Sequence, residues 1–221
     1  MTDSLKMQED SPAVSSFEFR VSVFSTAYLP PISYFSAMMQ SEKVLLEAYE
    51  NYTKQSYRNR CRIASANGVE TLSIPVQSNQ GRKIPIRDVR ISQHDNWRQT
   101  HWRAITSAYR SSPFFEYFED DFRPFYEKEW TFLWDYNMDL LILMLDLLDI
   151  QPKISLTKKF QSELSDINDL RSRIHPKKKS ILTSNPYYQV FENKLGFLED
   201  LSIIDLLFNM GNESILYLMP K

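Results

Sequence analysis

The chain of 221 residues is poor in the residue types on which familiar sites are built: it has one cysteine, three histidines and four glycines. A single cysteine excludes an internal disulfide and fits a reducing compartment. His94, His101 and His175 are scattered, and no CxxC, HxxxH or HExxH spacing occurs, so no metal site is assigned. With so few glycines there is no GxGxxG, no GxxxxGK[ST] and no GxSxG, and no cofactor is assigned. A phosphate must therefore be held by side chains, not by a cradle of backbone N–H groups. Neither sign of charge dominates: 26 Lys and Arg face 28 Asp and Glu, a net charge of -2, and nothing in that total points to nucleic acid. Long apolar runs are missing too. The longest, Met138 to Ile150, is too short for a bilayer, carries Asp139, Asp146 and Asp149, and reads as a core-facing helix. Residues 1–15 are polar and acidic, without the apolar stretch of a signal peptide, and read as a flexible tail. A cytoplasmic protein without a membrane span is expected.

Aromatic residues are abundant, with 14 Phe, 12 Tyr and 4 Trp, and 43% of the chain is hydrophobic. That composition folds. Phe17 to Thr26 alternates as a strand, Pro30-Pro31 breaks it, Ile32 to Gln40 has a helical stripe, and Lys43 to Tyr49 reads as a second strand. The order strand, Pro loop, helix, strand predicts a βαβ-like start with a parallel pair. Further strands are predicted at 58–64, 70–76 and 84–91, with a hairpin turn at Asn67-Gly68 and another turn at Gln80-Gly81. Beyond residue 93 the pattern becomes helical. One helix is expected from Asp95 or Asn96 to about Ser111, short helices over 116–126 around Pro124, the longest helix over 128–148, and a last one over 201–208. Residues 151–190 read as a long loop or lid with local helix near 160–164. The expected fold class is α+β: an N-terminal mixed β-sheet (16–92) packed with a helical C-terminal half (93–221), all in one domain over 16–221.

The densest chemistry lies in Tyr49 to Ile63, YENYTKQSYRNRCRI, where Lys54, Arg58, Arg60 and Arg62 are interleaved with tyrosines and asparagines. On a strand, Arg58, Arg60 and Arg62 share one face, and Tyr57, Asn59, Cys61 and Ile63 the other. Guanidinium groups so aligned suit an anion held between them, since Arg grips phosphate or carboxylate with two parallel hydrogen bonds. The plainer alternative is pairing with the protein's own carboxylates.

This stretch resembles the signature of the WbqC-like protein family, bacterial proteins often encoded among genes for surface polysaccharides. The matching residues are Lys54, Tyr57, Asn59, Arg60, Arg62 and Ile63, and Cys61 stands where the family usually has a second Asn. Further resemblance lies in Tyr28 to Phe35, Leu72 to Val76, Trp97-Arg98 with His101, Ala108 to Phe115, and Ser202 to Leu207. Two departures stand out. Ser25-Thr26 replace a common Gln-Pro, and Ala48-Tyr49 replace a common acidic pair.

The resemblance implies an enzyme of surface-polysaccharide biosynthesis acting on a nucleotide-activated amino sugar by group transfer, such as acyl or aminoacyl transfer. In that reading a nucleotide sugar or other small anionic ligand meets Lys54, Arg58, Arg60, Arg62 and Arg98. Tyr28, Tyr34, Tyr57 and Asn59 contact its sugar or base, and His101 acts as general base near neutral pH. For His101 the plainer alternative is a satisfied core histidine. Two other functions stay open: a non-catalytic binding or assembly protein of the same pathway, and a glycosyltransferase, for which the chain is short and lacks DxD.

Overall fold

The first strand, β1 (Phe19–Ser25), runs into the buried turn Tyr28-Leu29-Pro30-Pro31, and α1 (Ile32–Met39) carries the chain back to β2 (Ser41–Glu47). β1 and β2 pair in parallel from Phe19 opposite Ser41 to Ser25 opposite Glu47. This is the βαβ start, and it sets the last residues of both strands side by side. The computed structural model describes residues 18–78, 81–94, 96–162, 164, 166–181 and 185–219. The N-terminal tail, Phe17, Gln80 and Asp95 lie outside them.

The other β pairings fall into two groups. β3 (Arg60–Ser65) and β4 (Gly68–Ser73) form an antiparallel hairpin, and Gly68 at its turn has a φ of 117° that only glycine adopts freely. β5 (Ile154–Leu156) and β6 (Asn168–Asp169) join the parallel sheet at its two edges, giving the order β5-β2-β1-β6. The fold is α+β, with parallel and antiparallel pairing in separate sheets. The residues of β5 and β6 lie where the sequence predicts only a loop. Strands of three and two residues are too short to show alternation, and their pairing is set by the strands they join. No helix forms at 160–162.

The strand predicted at 84–91 is instead a 3-10 turn over Ile86–Asp88, flanked by isolated bridges from Asn51 to Pro85 and from Val76 to Ile91. Pro85 has no N–H to offer a ladder, which stops strand pairing there. Residues 115–127 form one helix, not several.

The helical half comprises α2 (Trp97–Tyr109), α3 (Phe115–Glu127), α4 (Leu133–Leu147), α5 (Glu192–Leu195), α6 (Ile203–Met210) and α7 (Ser214–Leu218). α3 buries Phe115, Phe118, Phe122 and Tyr126 on one stripe, and Pro124 falls off it on the exposed side. One continuous apolar core joins these helices to the sheet and the hairpin. Among the described residues no helix is long and apolar enough to cross a membrane.

Two titratable groups are buried in that core without a countercharge. Asp205 on α6 accepts hydrogen bonds from Tyr109 (2.9 Å), Tyr187 (2.5 Å) and Gln189 (3.0 Å), and burial pushes its carboxyl up to about 6 from an ordinary 3.8. His101 on α2 meets the Tyr28 hydroxyl at 2.9 Å through Nδ1 and bonds to the Ser73 backbone, and burial lowers its pKa from 6.5 to about 4. These groups have opposite linkage. The protonated Asp205 favours the fold below pH 4, and that gain is lost as pH rises through 6. The neutral His101 favours it above pH 6.5, and that gain is lost as pH falls through 4. Each contributes on the order of 3 kcal/mol across the window. In thermal melts between pH 4.5 and 6.5, Asp205→Asn should gain stability relative to the unsubstituted protein as pH rises. His101→Gln should lose it over the same range.

Candidate functional site

The parallel sheet directs the chemistry to its carboxyl end, where loops leave the strands and ligands of open α/β sheets commonly bind. Four strand ends bring polar groups together there. Glu47, the last residue of β2, is fully buried and pairs with Arg171 Nη1 at 2.9 Å. Arg171 also grips Asp169, the last residue of β6, through Nε (3.0 Å) and Nη2 (2.7 Å). Thr157, just past β5, donates its hydroxyl to Glu47 at 2.8 Å. Glu50, three residues beyond β2, binds the Arg58 guanidinium through both carboxylate oxygens. Arg58 also donates to Ser25 Oγ, the last residue of β1, at 2.7 Å. The two arginines at this end of the sheet are thus neutralised by the protein's own carboxylates.

This arrangement corrects the placement of Arg58. It does not stand on a strand beside Arg60 and Arg62, but sits in the turn before β3 with its head buried against Glu50. Only Arg60 and Arg62 alternate with the buried Cys61 and Ile63. The space between the ion pairs, lined by Ser25, Tyr34, Tyr57, Arg58, Arg171 and Ile174 among others, is about 10 Å³. That volume holds roughly one water and no larger ligand. The segment after β6 supplies Leu170, Arg171 and Ile174 to its lining, and Lys177 Nζ reaches Gln55 Oε1 at 2.5 Å.

The loop over residues 48–59 has two faces. Glu50 and Arg58 turn inward, and Gln55 at its tip takes a φ of 58°. Tyr52 and Lys54 turn outward into an open cleft of about 310 Å³. Its other walls are 76–78 and 84–90, which supply Val76, Ile84, Asp88 and Arg90. Backbone bonds hold the walls in register: Tyr52 N to Ile84 O at 2.9 Å, Ile86 N to Glu50 O at 2.9 Å, and Gln77 N to Arg90 O at 2.9 Å. Arg90 lies over the Phe132 ring at 4.8 Å. Arg60 on β3 is half-buried, and its charge and that of Arg58 both reach the Tyr52 hydroxyl. The Arg60 Nε is buried without a hydrogen-bond partner, and Arg60 makes no ion pair among the described residues.

The sequence-predicted site residues therefore separate into groups. Lys54 lines the open cleft, and Arg60 is half-buried on β3 outside its lining. Tyr34, Tyr57 and Arg58 line the narrow space between the ion pairs. Tyr28 lies in the core, with its hydroxyl on His101 and on Tyr126 at 3.0 Å. His101 is 4% exposed and edge-on to Trp97, so the imidazole expected to act as a base at a ligand is packed inside instead. Asn59 donates to the Ile74 carbonyl at 2.8 Å and holds the hairpin. Arg62 sits by Tyr57 and Asp200, which accepts from Ser33. Arg98 is on the surface near Gln93 and Glu129. Glu47, Asp88, Arg90, Asp169 and Arg171 were not singled out from the sequence. They lie far apart along the chain, and only the fold brings Glu47, Asp169 and Arg171 to the sheet end and Asp88 and Arg90 to the cleft. Among the described residues no group of three or more His, Cys, Asp or Glu is placed to hold a metal ion.

The family comparison covers both the cleft and the carboxyl end of the sheet. The WbqC-like protein family matches residues 26–177. The chain belongs to this family. It is also similar to an uncharacterized protein of Mycobacterium tuberculosis, Rv1507c, at 24% identity over 225 residues, covering 90% of this chain and 97% of that protein. No solved structure matches the chain. The matched span reaches from Thr26 to Lys177, and so includes the WbqC-like chain's inward pair, its outward cleft and the segment after β6.

Because Arg58 and Glu50 are almost fully buried, removing one strands the other's charge. Arg58→Met should cost about 3–5 kcal/mol in urea unfolding. The double variant Arg58→Met with Glu50→Met should recover much of that loss. Equal losses in the single and double variants would show that the charge pair is not what matters.

Proposed function

We propose that the protein binds a nucleotide-activated amino sugar in the cleft between Tyr52-Lys54 and Asp88-Arg90, and transfers an acyl or aminoacyl group to its amine in surface-polysaccharide biosynthesis. The observation that carries this reading is the cleft's unbalanced charge. Lys54 and Arg90 line the cleft with one carboxylate, Asp88. An anion is the ligand that balances them, and a diphosphate between Lys54 and Arg90 does so with charge-assisted hydrogen bonds. Tyr52 supplies a flat apolar wall for a sugar or base. Asp88 is the group suited to a sugar ammonium. The cleft's volume is at the low end for ligand sites, so one end of a nucleotide sugar lies inside and the rest extends outward.

With His101 in the core, the proton acceptor in the cleft is Asp88. The free-amine form of the sugar attacks the carbonyl carbon of an activated acyl donor, and the proton that its nitrogen sheds as the amide forms passes to the Asp88 carboxylate. The donor's leaving group departs with the electron pair of the broken bond. The second reading, a binding or assembly protein of the same pathway, is favoured by the cleft's lack of an imidazole.

Thermal shift against nucleotide sugars with and without a free amine, and against free nucleotides, tests the reading. A ligand at 100 times its Kd should stabilise the fold by about 2.7 kcal/mol. Lys54→Ala and Arg90→Ala should each lose most of that shift, and Asp88→Asn should lose only the preference for the amino form. No shift with any nucleotide sugar would overturn the proposal. Binding without consumption of an acyl donor would select the non-catalytic reading.

A further inference from the structure

A second surface, sharing no lining residue with the cleft, lies where α3 meets the ends of α4 and α6 and the start of α7. Two cavities flank Tyr117 there. One, of about 270 Å³, is lined by Phe114, Tyr117, Phe118, Met210, Asn212 and Glu213. The other, of about 350 Å³, shares Tyr117, Phe118 and Asn212 with it and adds Asp146, Leu147, Leu148, Asp149 and Ile215. Together they form one groove. Tyr117 is 75% exposed, yet its ring is packed edge-on against Phe118 at 4.8 Å, so it stands as a fixed apolar ridge between two hollows. Phe114 is 38% exposed and rests on Gly211, where even a methyl group would come within 2.7 Å of its ring. The first hollow is mostly apolar and the second is nearly half polar, a mixture that suits a protein partner.

The rim says what kind of partner fits. Every charged residue lining the two cavities is acidic: Glu213, Asp146 and Asp149. Among the described residues no Lys or Arg lines either. Such a rim repels anionic lipid and nucleic acid. An isologous dimer is also disfavoured, because it would set this surface, carboxylates included, against itself. No strand lines the groove, so a partner is read through side chains set into hollows between helices.

We propose that this groove docks a cationic amphipathic helix of a partner protein, with one apolar anchor on each side of Tyr117 and Lys or Arg against Glu213, Asp146 and Asp149. The cleft's chemistry plays no part, so this surface stands or falls independently of the proposed function.

The test is fluorescence anisotropy with a labelled 18-residue amphipathic helix of Leu and Lys, and a control of the same pattern with Glu for Lys. The Leu-Lys peptide should bind with micromolar affinity, and the Leu-Glu peptide at least tenfold more weakly. Tyr117→Lys should weaken the Leu-Lys peptide tenfold or more without moving the melting temperature, since the side chain is mostly exposed. Equal binding of both peptides, or unchanged binding in Tyr117→Lys, would overturn the proposal. So would light scattering that shows a dimer in the unsubstituted protein and a monomer in Tyr117→Lys, which would assign the groove to a second copy.

Discussion

Everything outward-facing at the candidate site hangs on one inward contact, the buried pair of Arg58 and Glu50. Both side chains are under a tenth exposed, and Ser25 completes the guanidinium's bonding. The pair ties the loop after β2 to the end of β1. The neutralised charges at the base of the loop are what allow Tyr52 and Lys54 at its crest to stand over the cleft. A buried ion pair is not a strong source of stability, because desolvation offsets much of the attraction. Its value is positional: breaking either half leaves an uncompensated charge, so one loop geometry is strongly preferred over the alternatives.

The same logic extends across the sheet end. Arg171 joins Glu47 of β2 to Asp169 of β6, and Thr157 adds the edge strand β5. Four parallel strands thus finish in a connected set of polar groups, with little room left between them. The helical half contributes the opposite kind of interior. Asp205 and His101 are buried among tyrosines and tryptophans without a countercharge, and hold their places by hydrogen bonds from neutral groups. Charge is paired at the sheet end, whereas in the helical core burial works against it. Lys54 and Arg90, neither in an ion pair among the described residues, line the cleft.

Much of the architecture was legible in the sequence. Alternation in β1, the Pro30-Pro31 break and the stripe of α1 gave the parallel βαβ start, and Asn67-Gly68 marked the hairpin. Periodicity failed where tertiary contacts decide the outcome. β5 and β6 are strands only because β2 and β1 offer them edges, and Pro85 turned a predicted strand into a 3-10 turn. The site was legible in part. The charge density of residues 49–63 located the right loop, but a period of two placed Arg58 outward beside Arg60. Its partner Glu50 lies eight residues back, a separation that no local pattern encodes. His101 fell on the apolar stripe of α2, and the structure shows the side chain following that stripe inward. Asp88, Arg90 and Arg171 left no local trace, since single charges in irregular segments acquire meaning only from what the fold sets beside them.

The most direct measurement is amide hydrogen exchange in the unsubstituted protein and in Arg58→Met. If the buried pair braces the loop, the Tyr52 and Ile86 amides, which bond to Ile84 and Glu50 across the cleft, should lose protection while those of β1 and β2 keep it. Unchanged protection at Tyr52 and Ile86, with Arg58 removed and the fold intact, would contradict the claim that this pair builds the cleft.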